Sequence, residues 1–523
     1  MAAPPENYDA LPMDWVGDWA GRRAKIAPRR RAVYESDTDR RYSFGEINDR
    51  ANRVGTYLVD RLGLQKGDRV CFIGRNRIEP IDLYMACGKT GIILSPLSYR
   101  LTKRELDELL ERIEPQALFY EDFFSDLVES LSLPETVREV VEFGDGDCRY
   151  GSEVMTTEPR DVNVPLAMQD TFLYIHTGGT TATPKVCIVS HRQMVWNSVD
   201  LIVSATDAMT ERSELLIFPF FHIGGWNTLT PIFQSGGYTV LMRQFDPGVA
   251  LDLIDREKIN HMGAVEAMLK FMADHPKFGE ASLESLTGIT TAGAPCAAVT
   301  MKHFWDRGIP VSQSYGLTEA GPSNFVHSGL DESWEELTEH HASIGTSFYH
   351  CDYRIVDDET LEPVAKGEEG VLLMRSLHNF DGYLKQPERN EKVFAEGGWI
   401  YSGDRAREDE DGYVYLVGRA DNMFVSGGEN VSPEEIENVL TEHPAVAQAA
   451  VIPMNDERWG QVPLAIVVAA QGETPSEEDM TRHCNTQLAR YKVPKSFVVA
   501  DSLPLTGAGK IDRNALARTY TPS

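Results

Sequence analysis

Between Tyr174 and His191 the chain reads YIHTGGTTATPKVCIVSH, with two glycines, a run of hydroxyls and one lysine on a short segment. Gly178 and Gly179 let a backbone approach a ligand closely, the four threonines Thr177, Thr180, Thr181 and Thr183 offer hydroxyl donors, and Lys185 adds a point charge. Such a loop suits phosphate oxygens. In a Walker A loop the lysine follows a glycine and precedes Ser or Thr; here it follows Pro184 and precedes Val186. A P-loop kinase or ATPase is therefore disfavoured, and a solvated Gly/Thr turn between two strands is the alternative to a phosphate site.

The surrounding segments alternate in periodicity. YSFGEINDRANRVGTYLVDRL, from Tyr42, has the helix period, DRVCFIG reads as a strand, and IDLYMACGKTGIILSPL reads as helix then strand. The same rhythm returns in SELLIFPFF, GYTVLMRQF and ITTAGAP, each an apolar run ending in small or turn residues. Such βα alternation implies a largely parallel sheet, in which ligand groups gather at the carboxyl ends of the strands. From about residue 344 short strands with turn signals suggest a small β subdomain, and after Arg419 a Gly-Gly turn and the Ser432-Pro433 helix start suggest a separate α/β unit. The expected fold is α/β: an N-terminal domain over residues 1–419, with the β subdomain at about 344–419, then a small mobile α+β domain over 420–523.

Composition narrows the partners. A chain of 523 residues exceeds one core and suggests roughly three or four compact units. Its formal net charge of −30 makes a general nucleic-acid or anionic-membrane surface unfavourable, so an anionic substrate must meet locally placed cations. The basic residues are 15 lysines against 35 arginines; an acidic, lysine-poor surface suits high salt, and an arginine-biased genome is the alternative. Seven scattered cysteines include no CxxC pair and read as reduced thiols. No signal-like N-terminus and no apolar run of about 18 residues occur, from which a cytoplasmic protein without membrane insertion is expected. A homodimer stays an open expectation.

Several separated motifs together resemble the adenylate-forming superfamily of acyl-CoA synthetases, firefly luciferases and peptide-synthetase adenylation domains. TGGTTATPK is similar to its phosphate loop, QSYGLTEAG (313–321) to its adenine and magnesium motif, YSGD (401–404) and GRADN (418–422) to its ribose and hinge segments, and PLTGAGKIDR (504–513) to its terminal lysine motif. FPFFHIGG at 218–225 agrees. The resemblance implies an AMP-forming acyl-CoA synthetase with ATP, Mg2+ and CoA: a carboxylate attacks the α-phosphate of ATP, and CoA then takes the acyl group. A medium- or long-chain fatty acid is the expected substrate, with a short-chain or aryl acid, or a catalytically silent nucleotide-binding protein, as alternatives.

It also implies roles residue by residue. Glu319 is the magnesium ligand and Thr318 contacts phosphate, as do Thr177 to Thr181 and Lys185. Ser314, Tyr315 and Gly316 lie along the adenine, with Ala292, Gly293, Ala294 and Pro295 as the other wall; Asp404 and Arg419 hold the ribose. Lys510 reaches the α-phosphate as a catalytic cation. His222 lies between acyl pocket and thiol tunnel; Gly225, Trp226, Glu266 and Gly316 line that pocket, Trp226 as a gate. Asp421 is the hinge, and Gly427, Gly428 and Glu429 flank the CoA thiol. The chain departs from the pattern where Gly178 replaces a common serine, Ala182 and Val186 replace glycines, and Asn422 replaces an aspartate, which puts an ion pair at 422 in doubt.

Overall fold

The computed structural model describes residues 7–177, 185–204, 209–293, 295–327, 332–419, 422–426, 429–456, 459–488, 490–506 and 510–521. Apolar runs between turns become parallel strands buried on both faces, as helices cover each side. In one sheet Glu139–Phe143, Ala117–Glu121, Arg69–Ile73, Ile93–Leu97 and Thr171–Thr177 run parallel in that order, and Lys185–Ser190 closes the edge antiparallel. A second sheet is ordered Thr346–Ser347, Gly321–Val326, Val311–Leu317, Gly288–Thr291, His261–Ala264, Ser213–Leu216, Tyr238–Leu241, Arg31–Glu35 and Arg40–Ser43, parallel through its centre and antiparallel at both edges.

The helix-period segment after Tyr42 forms Phe44–Thr56, started by a capping box in which Ser43 and Glu46 satisfy each other's backbone amides. Phe44, Ile47, Ala51 and Val54 face the core at helical spacing; the chain then continues into a π turn, Tyr57–Arg61, rather than one uniform helix. Cys351–Val356, Glu369–Ser376, Phe394–Ala395, Trp399–Glu408 and Val414–Arg419 make an antiparallel sheet. The strands from Phe424–Ser426 to Ser496–Val499 form the sheet of the smaller C-terminal domain, around a core that includes Val431, Ile436, Leu440, Val451 and Met480. The fold is thus mixed α/β with a large N-terminal and a smaller C-terminal domain. All seven cysteines are free. Among the described residues no helix is long and apolar enough to cross a membrane.

Helix His191–Val203 lies between the sheets and carries an inverted pattern. Gln193, Asn197 and Asp200 share a face at helical spacing and are fully buried. His191, at its start, is also buried, stacked on Phe172 at 4.5 Å and edge-on to Trp19, and neither ring nitrogen has a hydrogen-bond partner. Burial pushes its pKa down to about 3. A histidine whose pKa is depressed in the folded state destabilises the fold as pH falls below its unfolded value of about 6.5, because the unfolded chain takes up the proton first. His191→Leu should therefore flatten the acid limb of stability, recovering about 2–3 kcal/mol at pH ~4.5 relative to its effect at pH ~8; urea unfolding across that range measures it, and parallel curves for the two proteins would refute it.

Candidate active site

The strands Val311–Leu317 and Gly321–Val326 form a hairpin whose tip, Thr318–Ala320, is a 3-10 turn. Two glycines make that geometry. A Cβ on Gly316 would lie 2.4 Å from the Pro322 carbonyl oxygen, and Gly321 has φ +86° with His378 Nδ1 2.0 Å from where its Cβ would be. Each carbonyl of the turn accepts from a donor elsewhere: Gln193 Nε2 donates to Thr318 O (2.7 Å), Phe380 N to Glu319 O (2.9 Å), and His378 Nδ1 and Asn324 Nδ2 to Ala320 O (2.9 and 2.7 Å). His378 Nε2 faces Asp200 Oδ2 at 3.0 Å. His350 Nδ1 also contacts Asp200.

With its backbone held, Glu319 directs its carboxylate to the Tyr383 hydroxyl, which donates to Oε1 at 2.7 Å. Lys185 lies over the other part of Tyr383, its Nζ 5.0 Å from the ring centroid. Lys185 is the register partner of Thr177 across the hairpin mouth, and Thr177 Oγ1 is buried without a hydrogen-bond partner. Gly178, Gly179, Thr180, Thr181 and Ala182 lie outside the described residues. An ammonium and a carboxylate with no ion-pair partner among the described residues, beside an orphan hydroxyl, form a donor set suited to a magnesium-bound triphosphate. No group of three His, Cys, Asp or Glu among the described residues could cage a metal, and magnesium commonly takes one or two carboxylates plus substrate phosphates.

Asp404 and Arg419 are direct cross-strand partners, and Arg419 Nη1 donates to Asp404 Oδ1 at 3.1 Å and to Ser402 O at 3.3 Å. The Tyr315 hydroxyl donates to Asp404 Oδ2, and Ser314 Oγ donates to Phe325 O at 2.8 Å. Burial raises the Asp404 carboxyl above its ordinary range against the opposing pull of Arg419. The Lys510 ammonium is near enough that its charge helps to lower the pKa of both Asp404 and His222. Lys510 is carried by a turn in which Thr506 N donates to Lys510 O at 2.7 Å. The turn is tied to helix Pro433–Thr441 by Arg513, which bonds Glu434 at 3.0 Å and Glu437 at 2.8 Å. Asn422 Nδ2 donates to the same Glu434 at 2.6 Å. An aspartate could not make that bond, so the departure at 422 suits a carboxylate at 434. Asp421, Gly427 and Gly428 lie outside the described residues, and Glu429 is placed only as strand backbone.

His222 caps helix Ile223–Ser235, its Nδ1 accepting from Gly224 N at 3.1 Å. The ring is open to solvent yet walled by protein atoms; that crowding, then the Lys510 charge, brings its pKa down to about 4. His176, one residue before Thr177, accepts from Ser98 N at 3.0 Å and is likewise pushed to about 4, by burial and by His222. Gly293 has φ +87°, and a Cβ there would meet only Val265 Cγ1, at 3.9 Å; Ala294 lies outside the described residues.

Three acyl-pocket expectations are changed. The Trp226 indole is fully buried between Tyr84 and Phe220, both at 4.3 Å and near-parallel, so it packs the core and could gate only by leaving that stack. Gly225 gives no room to a ligand, because the Pro219 and Phe218 carbonyls lie 2.8 and 3.0 Å from where its Cβ would be. Glu266 accepts from Ala297 N at 3.0 Å and Thr300 Oγ1 at 3.1 Å, acting as the missing cap of helix Ala298–Trp305 and fixing the loop after Gly293. Sequence reasoning missed Tyr383, His378, Asp200 and Gln193; the one local signal was Gly382-Tyr383 before the Pro387 helix start. Trp226→Ala should cost about 3–5 kcal/mol of stability without lengthening the acids accepted; denaturant unfolding with an acyl-length profile measures both, and a longer profile at near-native stability would restore the gate.

Residues 21–384 match the family model of AMP-binding enzymes and residues 435–510 that of the AMP-binding enzyme C-terminal domain. A feruloyl-CoA synthase of Amycolatopsis sp. is 34% identical over 97% of this chain and 99% of its own length, and the long-chain-fatty-acid–CoA ligase FadD13 of Mycobacterium tuberculosis is 30% identical over 97% and 98%. The o-succinylbenzoate coenzyme A synthetase MenE of Bacillus subtilis, solved with ATP and magnesium ion, superposes with a TM-score of 0.84 at 26% identity, covering 95% of this chain and 99% of that one. The chain belongs to the AMP-binding enzyme family of the adenylate-forming superfamily, and it is an AMP-forming acid–CoA ligase that uses ATP, magnesium and CoA.

Proposed function

We propose that the acid is apolar and aromatic, an aryl or arylalkenoic acid, activated at the site where Glu319, Lys185, Asp404, His222 and Lys510 meet. The observation that carries the substrate assignment is the wall beside His222. Phe218 and Phe221 precede the histidine by four positions and by one, Phe218 packs so closely on Gly263 that a Cβ there would be 2.6 Å from the ring, and Trp226 is locked in the core. The flat Phe218 ring over Gly263 favours a flat substrate. The feruloyl-CoA synthase relative supports this reading, and FadD13 supports a second, a medium- or long-chain fatty acid.

In the first half-reaction a carboxylate oxygen attacks the α-phosphorus and pyrophosphate leaves. Bound magnesium neutralises phosphate charge, with Glu319 as its carboxylate ligand and Thr318 at the phosphates. Lys185 holds the phosphates from the loop side, Tyr315 and Gly316 meet the adenine opposite Ala292 to Pro295, and Asp404 with Arg419 fixes the ribose. Asp404 has one lone-pair direction on each oxygen left for a ribose hydroxyl beside its bonds to Tyr315 and Arg419. Lys510 supplies a preorganised positive charge where negative charge grows. In the second half-reaction the thiolate of CoA attacks the acyl carbon and AMP leaves, so Lys510 must withdraw to open a path past His222. The C-terminal domain turns about Asp421, and Gly427, Gly428 and Glu429 then flank the thiol. The contact from Ser432 Oγ to Val417 O, 2.7 Å, has to break in that turn.

Two outcomes follow. Lys510→Ala should lose about 100-fold or more in adenylation yet still convert supplied acyl-adenylate to acyl-CoA, whereas Asp421→Pro, with φ fixed near about −65°, should adenylate and fail in thioester formation. Equal loss of both steps in both variants would refute domain rotation. Magnesium-dependent pyrophosphate release across straight-chain acids from acetate to palmitate and a set of aryl acids should give the highest kcat/KM with an arylalkenoic acid; a maximum on the long-chain acids would overturn the aromatic assignment in favour of the fatty acid.

A further inference from the structure

Lys185 and Glu319 are opposite charges that meet on one side chain. Tyr383 donates its hydroxyl to Glu319 Oε1 at 2.7 Å and presents its ring to Lys185 Nζ at 5.0 Å from the centroid. Neither charge has an ion-pair partner among the described residues, in a chain whose other cations are widely paired. Left alone, two such groups would close on each other, and the phosphates and magnesium would have to separate them.

The tyrosine is held where it can prevent this. Residues 380–384 lie along the strand Lys185–Ser190: Asp381 N donates to Ile188 O (3.0 Å), Ile188 N to Gly382 O (2.8 Å) and Leu384 N to Val186 O (2.8 Å). The same segment begins with the bond from Phe380 N to Glu319 O, so it joins the strand that bears Lys185 to the turn that bears Glu319. Gly382, at φ +112°, packs on Asn390, whose Oδ1 accepts from Tyr383 N at 2.7 Å. Backbone bonds on three sides thus fix the ring between the two charges.

We propose that Tyr383 is a positioning residue for the magnesium-nucleotide site. Its hydroxyl commits Oε1 of Glu319 and leaves Oε2 for the ion, and its ring keeps Lys185 off Glu319 so that both remain ready for the phosphates. Partners that orient a metal ligand commonly contribute about 10–100-fold in metal affinity. The inference rests on the assignment of Glu319 as the magnesium ligand.

Calorimetric titration of the full chain with α,β-methylene-ATP, without metal and over a magnesium series, tests it. Tyr383→Phe keeps the ring and removes the donor: metal-free nucleotide affinity should stay within about twofold while the magnesium concentration for half-maximal tightening rises about tenfold. Tyr383→Leu removes both, and metal-free affinity should fall several-fold as well. Glu319→Gln separates the two levels. If Glu319→Gln shifts the magnesium midpoint and Tyr383→Phe does not, the role of Tyr383 is overturned while the metal assignment stands. If Glu319→Gln leaves the midpoint unmoved, the metal assignment itself fails. Native metal-free affinity in Tyr383→Leu would overturn the role given to the ring.

Discussion

Three consecutive backbone carbonyls, those of Thr318, Glu319 and Ala320, are each held by a donor from another part of the chain. The site depends on that constraint. A hairpin tip that directs a carboxylate toward a ligand turns its carbonyls toward the interior, where an unpaired one costs about 1–3 kcal/mol. The donors come from Gln193, from the amide of Phe380 and from His378, and His378 is oriented in turn by the buried Asp200. Gln193, Asn197 and Asp200 share one face of helix His191–Val203, so a single helix sets much of the turn's polar support. The amide donors of Gln193, Asn197 and Asn324 are used in this support, while their side-chain oxygens are buried without a hydrogen-bond partner among the described residues.

The second organising element is the short path from Glu434 to Lys510. Glu434 accepts from Asn422, next to the proposed pivot, and from Arg513, three residues after Lys510. Ser432 Oγ lies 2.7 Å from the Val417 carbonyl oxygen and 3.1 Å from Glu434 Oε2, which share its one proton. Gly418 makes this approach feasible, for a Cβ there would lie 2.1 Å from Ser432 Oγ. The placement of Lys510 by His222 and Asp404 is thereby linked to the chain segment where the two domains join, which is where an enzyme with two half-reactions needs control.

Sequence reasoning fared unevenly, for reasons visible in particular residues. The strands Arg69–Ile73, Ser213–Leu216 and Tyr238–Leu241 were legible from the apolar runs that contain them, because burial on both faces of a parallel sheet favours continuous apolar character. Tyr315, Asp404, Arg419 and Lys510 stood out by motif, and three of them meet directly. A tryptophan beside paired glycines looks the same in sequence whether it lines a pocket or fills a core stack, and the structure holds Trp226 in a stack. The polar face of helix His191–Val203 is buried, and the amide donors of Gln193 and Asn197 bond carbonyls more than 120 positions away.

What the sequence by itself determined is therefore the chemistry and the class of fold: local periodicity encodes buried strands, and short motifs carry the groups that phosphate, ribose and acyl transfer require. Tertiary structure alone decided which groups are held apart and which are held together. Tyr383 is 64 residues from Glu319, and His378 is 178 from Asp200. No local signal marks such pairs, because a hydrogen bond closed across a fold depends on where two segments pack and leaves no period in either one.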